Sequence, residues 1–308
     1  MLKYRLTDIN GRLTDLKNPI QVSFSSSVGA PADSLRAVFA VAGAIPEIVS
    51  IEVLSGTERV FFGYIDTQCD ETSVSGKILT VEARSLAAVL LDNEACPATY
   101  CMATMSFLMD RHFREYGFEE YIGQDKAVNG ELIIAKGMSE WGVLQQYCKA
   151  VRAGIPRIGS DGVIDISGSP LDEEVMVSRA QCISEKHRLS RKELISQLRV
   201  RTYSDGGYDM MYESGLASRT KTVRRRYVNA FDSMISPAEE AGELLRKADG
   251  CYESVVLVCD GCILCTPGAK LRIENDRHTY KVTEIGYLLN ADGEKTTLQL
   301  AMWEGKQE

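Results

Sequence analysis

Alternation of apolar and polar residues near both ends of the chain constrains the fold more than any other feature. In LTVEAR (79–84) every second residue is apolar, and TTLQLAM (296–302) follows a similar pattern. A period of two is typical of a β-strand with one buried face. The sequence therefore predicts mainly strands over residues 20–95, and again from about residue 190 onward.

Turn residues separate these predicted strands. We expect the chain to reverse at 55–57 (SGT), at Asn275-Asp276 and at Asp292-Gly293. Gly63 lies inside the aromatic strand that follows the first of these turns. A glycine within a strand indicates a bulge or a close backbone approach, as at a barrel corner.

The middle of the chain has a helical pattern. A broad apolar stripe runs from Met102 to Tyr116, and a second helix is predicted to begin at Ser139 and to stop at Gly154. The inward residues predicted for this second helix are Trp141, Leu144, Cys148 and Val151. A small hairpin is expected around 160–162.

A third helix is marked by its capping residues. In SPAEEAGELLRKADG (236–250), Ser236 is the predicted N-cap, Pro237 occupies the first helical position and Glu239 completes a capping box. Gly250 is the predicted C-cap. The sequence therefore predicts a helix over about 237–249.

Together these patterns predict an α+β fold with two related small β-barrel domains and a helical or mixed insertion between them. The separation of Tyr64 from Val81 equals that of Val282 from Gln299, across a polar connector in each case. Such a repeated spacing favours two related units. The predicted domains are 1–95 (first barrel), 96–178 (insertion) and 179–308 (second barrel, containing the helix near 237–249).

Composition excludes several classes of function. The net charge of −8 argues against a general nucleic-acid surface and against an anchor to anionic membranes. We expect no signal peptide and no transmembrane segment, because no stretch is sufficiently long and apolar. Nine cysteines without an export signal predict free thiols in a reducing cytoplasm.

The run CDGCILC (259–265) has two interpretations. The spacing of Cys259, Cys262 and Cys265 is typical of iron–sulfur or zinc ligands. However, the fourth ligand of a ferredoxin run would fall at position 269, which is Ala269. Asp-Gly after the apolar run 255–258 is instead a hairpin signal, and it would place Cys259 opposite Cys262. We favour the hairpin and predict no metal site.

No other group of residues forms a recognisable catalytic constellation. Of the three histidines, His112 is expected in the core or at its boundary, His278 is expected at a solvated turn, and His187 lies in no motif. A cysteine–histidine nucleophile pair remains an alternative, because such pairs meet in space rather than in sequence. The basic run 224–226 fits either a nucleic-acid site or salt bridges to an acidic neighbouring subunit. We predict no catalytic, cofactor-binding or metal-binding residues.

The stretch RVFFGYIDTQCDETSVSGKILTVEARSLAAVLLDNEACP (59–97) resembles the first barrel of phage tail baseplate hub proteins. This Mu-like and T-even-like family includes hubs of Gram-positive prophages and of phage-tail-like bacteriocins. The matching motifs are Gly-Tyr-Ile-Asp at 63–66, Arg-Ser-Leu at 84–86 and the exit from Asp92 to Pro97. More loosely, 194–208, 226–228, the helix 237–249 and the terminal meander resemble the second hub barrel.

The resemblance implies a structural baseplate hub and no enzyme. Such a protein forms a homotrimer whose two barrels per subunit make a pseudo-sixfold ring joining the hexameric tail tube to the trimeric spike. The implied partners are the tube protein, the spike and other baseplate proteins, with DNA or a tape-measure protein passing through the lumen without specific binding. The implied location is the baseplate of a virion or tail-like particle assembled in the host cytoplasm, without cofactor or membrane.

Two alternatives belong to other functional classes. One is a tail-associated cell-wall hydrolase with a cysteine nucleophile. The other is a metal-binding protein that uses Cys259, Cys262 and Cys265.

Overall fold

The computed structural model describes residues 2–43, 45–74, 76–168, 174–202, 206–229 and 236–303. Its main feature is a 13-stranded sheet, accompanied by three small sheets and five α-helices. The predicted α+β class is confirmed. Among the described residues, no helix combines the length and apolar character needed to cross a membrane.

The first β unit contains β1 (Leu2–Asp8), β2 (Leu13–Leu16), β3 (Gln21–Ser27), β4 (Ala30–Val41), β5 (Ile48–Ser55), β6 (Glu58–Ser73) and β7 (Gly76–Ser85). The insertion contains α1 (Ala87–Asp92), β8 (Ala98–Cys101), α2 (Met105–Leu108), a π-helical turn (Met109–Phe113), a 3-10 turn (Arg114–Tyr116), β9 (Tyr121–Ile122), β10 (Glu131–Ile134), α3 (Glu140–Val151), β11 (Arg157–Ile158) and β12 (Ile164–Asp165). This name covers the segment from α1 to β12, which starts before residue 96 because Ala87 and Leu90 of α1 pack in its apolar cluster. The remaining elements are β13 (Glu174–Val177), a 3-10 turn (Arg179–Gln181), β14 (Cys182–Leu189), β15 (Gln197–Arg201), β16 (Met210–Glu213), α4 (Gly215–Arg219), β17 (Arg225–Asn229), α5 (Pro237–Gly250), β18 (Glu253–Asp260), β19 (Lys270–Ile273), β20 (Thr279–Asn290) and β21 (Gly293–Met302).

The large sheet contains the same strand arrangement twice. In the first β unit the order is β3-β4-β7-β6-β5, and in the second β unit it is β14-β18-β21-β20-β19. Even the bulges correspond. The β6–β7 ladder shifts register between Ile65 and Thr67, and the β20–β21 ladder shifts between Val282 and Glu284. The two bulges lie at equal distances from their hairpin turns, so Ile65 corresponds to Val282. The spacing noted in the sequence thus reflects a true repeat, although it matched Tyr64 rather than Ile65 to Val282.

The two units share one sheet through β20. The first residues of β20 pair with β19, whereas Glu284 to Leu289 pair along the same edge with β3. The bulge at Thr283 separates these two partners. Because β20 continues into the first unit, the described strands form one sheet rather than two separately closed barrels. This sharing is the main difference from the predicted architecture.

Each part of the fold buries its own apolar cluster. The first β unit packs around Phe39, Ile51 and Leu79, and the second around Leu257, Leu271 and Leu298. A third cluster lies in the insertion and contains all four residues predicted to face inward from α3. Tyr287 of β20 is buried in the cluster of the first unit. The junction between the β units is therefore itself a packed interface.

The helical predictions for the insertion hold with two corrections. Met102 is 68% exposed and has a positive φ of 52°, because the helical segment begins only at Met105, after the N-cap Thr104. The second helix ends at Val151, where Arg152 takes the left-handed conformation, rather than at Gly154. The predicted hairpin exists as β11 paired with β12.

The helix α5 begins as predicted, with Ser236 as the N-cap and Glu239 completing the capping box. Gly250 is its last residue and Cys251 the C-cap, which corrects the predicted C-terminus by one position. Together with the small sheet β16-β15-β17 it buries Leu198, Val200 and Ala241. The stretch 194–208, whose residues 203–205 lie outside the described ranges, thus belongs to a satellite of the second unit and not to the large sheet.

Candidate functional site

The motifs of the stretch 59–97 converge on one ion-pair cluster at the end of the first β unit. The Arg84 guanidinium donates to both carboxylate oxygens of Asp66, over 2.7 Å from Nε and 2.9 Å from Nη2. It also donates to both oxygens of Asp92, over 3.0 Å and 2.6 Å. The hydrogen bonds from Arg84 hold the pKa of Asp92 below its usual range. This arrangement ties β6 and β7 to the end of α1.

Two backbone features bring these groups together. Asp66 is the residue that bulges out of the β6–β7 ladder. Gly63 lies so close to the neighbouring strand that a Cβ atom there would stand 2.3 Å from the Arg84 carbonyl oxygen. The prediction of a close approach at Gly63 is therefore confirmed. The cluster fixes the corner from which the chain leaves the sheet for the insertion.

The run 259–265 forms a turn but not the predicted hairpin. Cys259, one residue before the end of β18, lies opposite Cys182 and Thr296, so its cross-strand neighbour is not Cys262. Gly261 turns with a φ of 78°, and its amide donates to the Glu294 carbonyl. Both edges of β18 are already paired, with β14 and β21, so no edge is left for a return strand, and the Ile263 amide donates to the Thr296 side chain instead. No return strand forms from 262–265.

The three cysteines of this run contact different cores. Cys259 and Cys265 pack in the second β unit, whereas Cys262 packs against the first. Among the described residues, no group of three or more His, Cys, Asp or Glu side chains is arranged to hold a metal ion. Burial raises the pKa of Cys259 to about 12 and that of Cys262 to about 11. Such shifts disfavour the thiolate that a nucleophile requires.

Each histidine is paired with a carboxylate. His112 lies in the core as expected, with Nδ1 2.8 Å from Glu140 Oε2 and Nε2 3.2 Å from the Tyr100 hydroxyl. His278 lies at its predicted solvated turn, 3.0 Å from Asp276, and the third histidine, His187, contacts Glu185. In the basic run, Arg225 and Arg226 are exposed on β17, while the backbone of Arg224 is held by Ser196.

A cleft of about 1020 Å³ lies where the two β units meet the insertion. Its apolar lining comes from all three parts, including Tyr4, Phe61, Trp141, Ile158, Cys262 and Tyr287. One wall is fixed by a reciprocal contact, in which Ser160 Oγ donates to the Arg59 carbonyl and the Arg59 side chain donates to the Ser160 carbonyl. No sequence pattern indicated this cleft, because its walls are distant along the chain.

Besides the short edge strands β2 and β13, the large sheet has two longer open edges within the described part of the chain. The strand β14 pairs with β18 on one side only. Residues 67–72 of β6 likewise pair with β7 on one side, because β5 contacts β6 only up to Tyr64. Most residues of both edges are exposed, and on the β6 edge the Gln68 side chain accepts from the Ile48 amide and donates to the Pro46 carbonyl. These edges were not predicted from the sequence. Their charged runs DE (70–71) and KHR (186–188) are typical of edge strands and offered a signal for them.

Comparison with known proteins identifies the fold. No protein-family model and no curated protein sequence matches the chain significantly. Its structure is similar to the tail protein from Neisseria meningitidis MC58 (TM-score 0.79, 18% identity, 97% of this chain and 96% of that one). It is also similar to the 43 kDa tail protein of prophage MuSo2 from Shewanella oneidensis (TM-score 0.78, 13% identity, 97% of each chain).

A third similar structure is a component of the type VI secretion system of E. coli, which exhibits structural similarity to T4 bacteriophage tail proteins gp27 and gp5. Here the TM-score is 0.57 at 10% identity, over 93% of this chain and 74% of that one. The two tail proteins match over nearly their whole length, so the similarity includes both β units and the insertion. The chain therefore has the fold of phage tail proteins.

Proposed function

We propose that the chain is the structural hub of the baseplate of a phage tail or phage-tail-like particle. In this proposal three copies form a homotrimer whose six β units make a pseudo-sixfold ring. The ring joins a hexameric tail tube to a trimeric spike. We assign it no catalytic activity and no cofactor.

One observation carries the proposal: a single chain holds two β units with the same strand order, joined in one sheet. Three such chains supply six similar units around a ring. Outside these repeated strands, the two halves of each chain differ from each other. A protein of this kind matches a sixfold partner on one face and a threefold partner on the other. The similarity to a tail protein, to a prophage tail protein and to a secretion component with structural similarity to gp27 and gp5 supports this proposal.

The proposed location follows from the proposed role. The hub is assembled in the bacterial cytoplasm and ends in the baseplate, where it contacts the tube protein, the spike and other baseplate proteins. DNA or a tape-measure protein passes through its lumen without specific binding. The net charge of −8 supports this last point, because an acidic protein has weak general affinity for nucleic acid.

The mass of the purified chain in solution, combined with negative-stain imaging, tests the proposal. We expect a trimer, formed either by the chain alone or on addition of its tube or spike protein, and we expect ring-shaped particles. A chain that stays monomeric at every concentration and binds neither protein would overturn the hub assignment. Wall-degrading activity that disappears on one Cys→Ser change would favour the hydrolase alternative instead.

A further inference from the structure

The open edges of β14 and of residues 67–72 of β6 are related by the internal repeat. Within the chain, β3 of the first unit adds to β20 of the second and closes the junction between the two units. The counterpart of β3 in the second unit is β14, and the counterpart of β20 in the first unit is β6. Both counterparts are open. The pairing of β3 with β20 joins the two units of one chain. The corresponding strands, β14 and β6, are thus available to form the same kind of pairing a second time.

We propose that β14 of one copy pairs antiparallel with residues 67–72 of β6 in the next copy and so forms the joint between subunits. This inference rests on the proposed trimer. In the resulting ring, three joints of β3 with β20 inside the subunits alternate with three joints of β14 with β6 between them. Because the two edges differ, the contact is head-to-tail, which is the kind that generates rings.

The repeat also fixes the register of this pairing. Leu35 of β4 pairs with Ala83 of β7, and Val255 of β18 pairs with Leu300 of β21. Ala83 and Leu300 lie equally far from their hairpin turns, so Leu35 and Val255 occupy corresponding positions. Phe24 of β3 pairs with Leu35, and His187 of β14 pairs with Val255, so Phe24 and His187 also occupy corresponding positions.

Tyr287 and Asp70 correspond as well, because they lie equally far beyond their bulges. Since Phe24 pairs with Tyr287 inside the chain, His187 should pair with Asp70 of the next copy. The adjacent pairs in this register are Glu71 with Lys186 and Cys69 with Arg188.

The charges of the two edges are complementary in this register. The β6 edge carries Asp70 and Glu71, and the β14 edge carries Lys186 and Arg188 together with His187. The acidic residue of β14, Glu185, is already paired with Arg179 and His187 of its own subunit. Opposite charges on facing strands stabilise pairing, and like charges would destabilise it.

Unlike the proposed joint between subunits, the joint of β3 with β20 inside the chain is apolar. There Phe24 faces Tyr287 and Val22 faces Leu289, with Val22 and Tyr287 buried. An apolar joint is suited to a permanent contact within one folded chain. Charged edges keep the free monomer from pairing with unrelated strands and make the joint between subunits specific and sensitive to salt.

Disulfide trapping tests the register in the full chain. Paired Cα atoms lie about 4.5–5.5 Å apart, within the span of a disulfide. R188C should therefore cross-link to native Cys69 of the next copy under mild oxidation and yield covalent trimers on non-reducing gels. Adding C69S should abolish the cross-link. The control H187C should cross-link far less, because its side chain points to the other face of the strand.

Charge reversal provides a second test. K186E/R188E places like charges at the joint, and we expect trimer formation at low salt to weaken by at least about tenfold. D70K/E71K should do the same, and combining all four changes should restore assembly. R225E/R226E is a matched control, because it reverses two exposed arginines on β17 and should leave the trimer unchanged.

The outcomes separate this inference from the function on which it rests. If trimeric rings form but R188C does not cross-link to Cys69 and K186E/R188E still assembles, the register is wrong and the hub assignment stands. If the unaltered chain never forms a trimer with or without its tube and spike proteins, both fail.

Discussion

Arg84 donates to both carboxylate oxygens of Asp66, the residue that bulges out of the ladder between β6 and β7. Its remaining donors bind Asp92 at the end of α1. Three segments that are separate in sequence are therefore fixed by one guanidinium. The two aspartates and the arginine belong to the motifs that carry the resemblance to hub proteins.

Replacing this arginine should destabilise the first β unit. For Arg84→Ala we expect a loss of about 1–2 kcal/mol in the free energy of unfolding, more than an ordinary surface pair contributes, because the contacts are bidentate and shared. Urea denaturation measures it. The control is Arg36→Ala, which removes a single contact to Glu82 between exposed side chains and should cost less than about 0.5 kcal/mol. Equal losses would show that the shared geometry contributes nothing.

Gly63 should not tolerate a side chain. A Cβ atom at this position would stand 2.3 Å from the Arg84 carbonyl oxygen, and a paired backbone atom cannot move away easily. We expect Gly63→Ala to lower the free energy of unfolding by at least about 2 kcal/mol. Gly286→Ala is the control, because the nearest atom there is 3.9 Å away, and it should cost less than about 1 kcal/mol. A Gly63→Ala protein as stable as the control would contradict the close approach.

The features that the sequence predicted correctly are local ones. The capping box of α5 and the alternation of β7 depend on residues a few positions apart, so their physical causes can be read directly. The close approach at Gly63 was also predictable, because a glycine inside an aromatic strand lacks the Cβ atom that would keep a neighbouring backbone at a distance.

Strand partners were harder to predict, because an alternating strand has no inherent preference for one neighbour. Asp260-Gly261 signalled a turn correctly, but both edges of β18 are already paired, with β14 and β21, so no edge is left for a return strand. Cys259 consequently faces Cys182 and not Cys262. The sharing of β20 between the two units depends on the same kind of distant pairing.

The pair of His112 and Glu140 should contribute strongly to the stability of the insertion. Both side chains are buried, at 2% and 3% exposure, and removing one partner leaves the other without its contact. For His112→Ala we expect a loss of about 3–5 kcal/mol in the free energy of unfolding. His278→Ala removes a similar contact, 3.0 Å from Asp276, but with a histidine that is 60% exposed, and it should cost less than about 1 kcal/mol. A similar loss for both variants would refute the dependence on burial.

Thiol reactivity should follow the burial of the cysteines. Cys96, Cys101 and Cys251 are exposed, whereas Cys148 and Cys259 are buried. Burial raises the pKa of Cys148 and of Cys259 to about 12. Because only the thiolate reacts, we expect an aromatic disulfide reagent at pH 8 to modify the first three in the native protein and the last two only after unfolding. Mass spectrometry of digested samples would identify the sites, and rapid native modification of Cys259 would contradict its position in the core.

Asp276 should make stability depend on pH in the acid range. Burial alone would raise its pKa, but hydrogen bonds from the His278 amide and side chain and from the Tyr280 hydroxyl lower it to about 2. A pKa lowered on folding stabilises the native state above the unfolded value near 4, and this contribution disappears as the pH falls towards 2. We expect Asp276→Asn to remove about 1–2 kcal/mol at pH 6 but little at pH 2, after allowance for solvent screening. Urea titrations of both proteins at several pH values would measure this difference, and a constant gap between pH 6 and pH 2 would disprove the linkage.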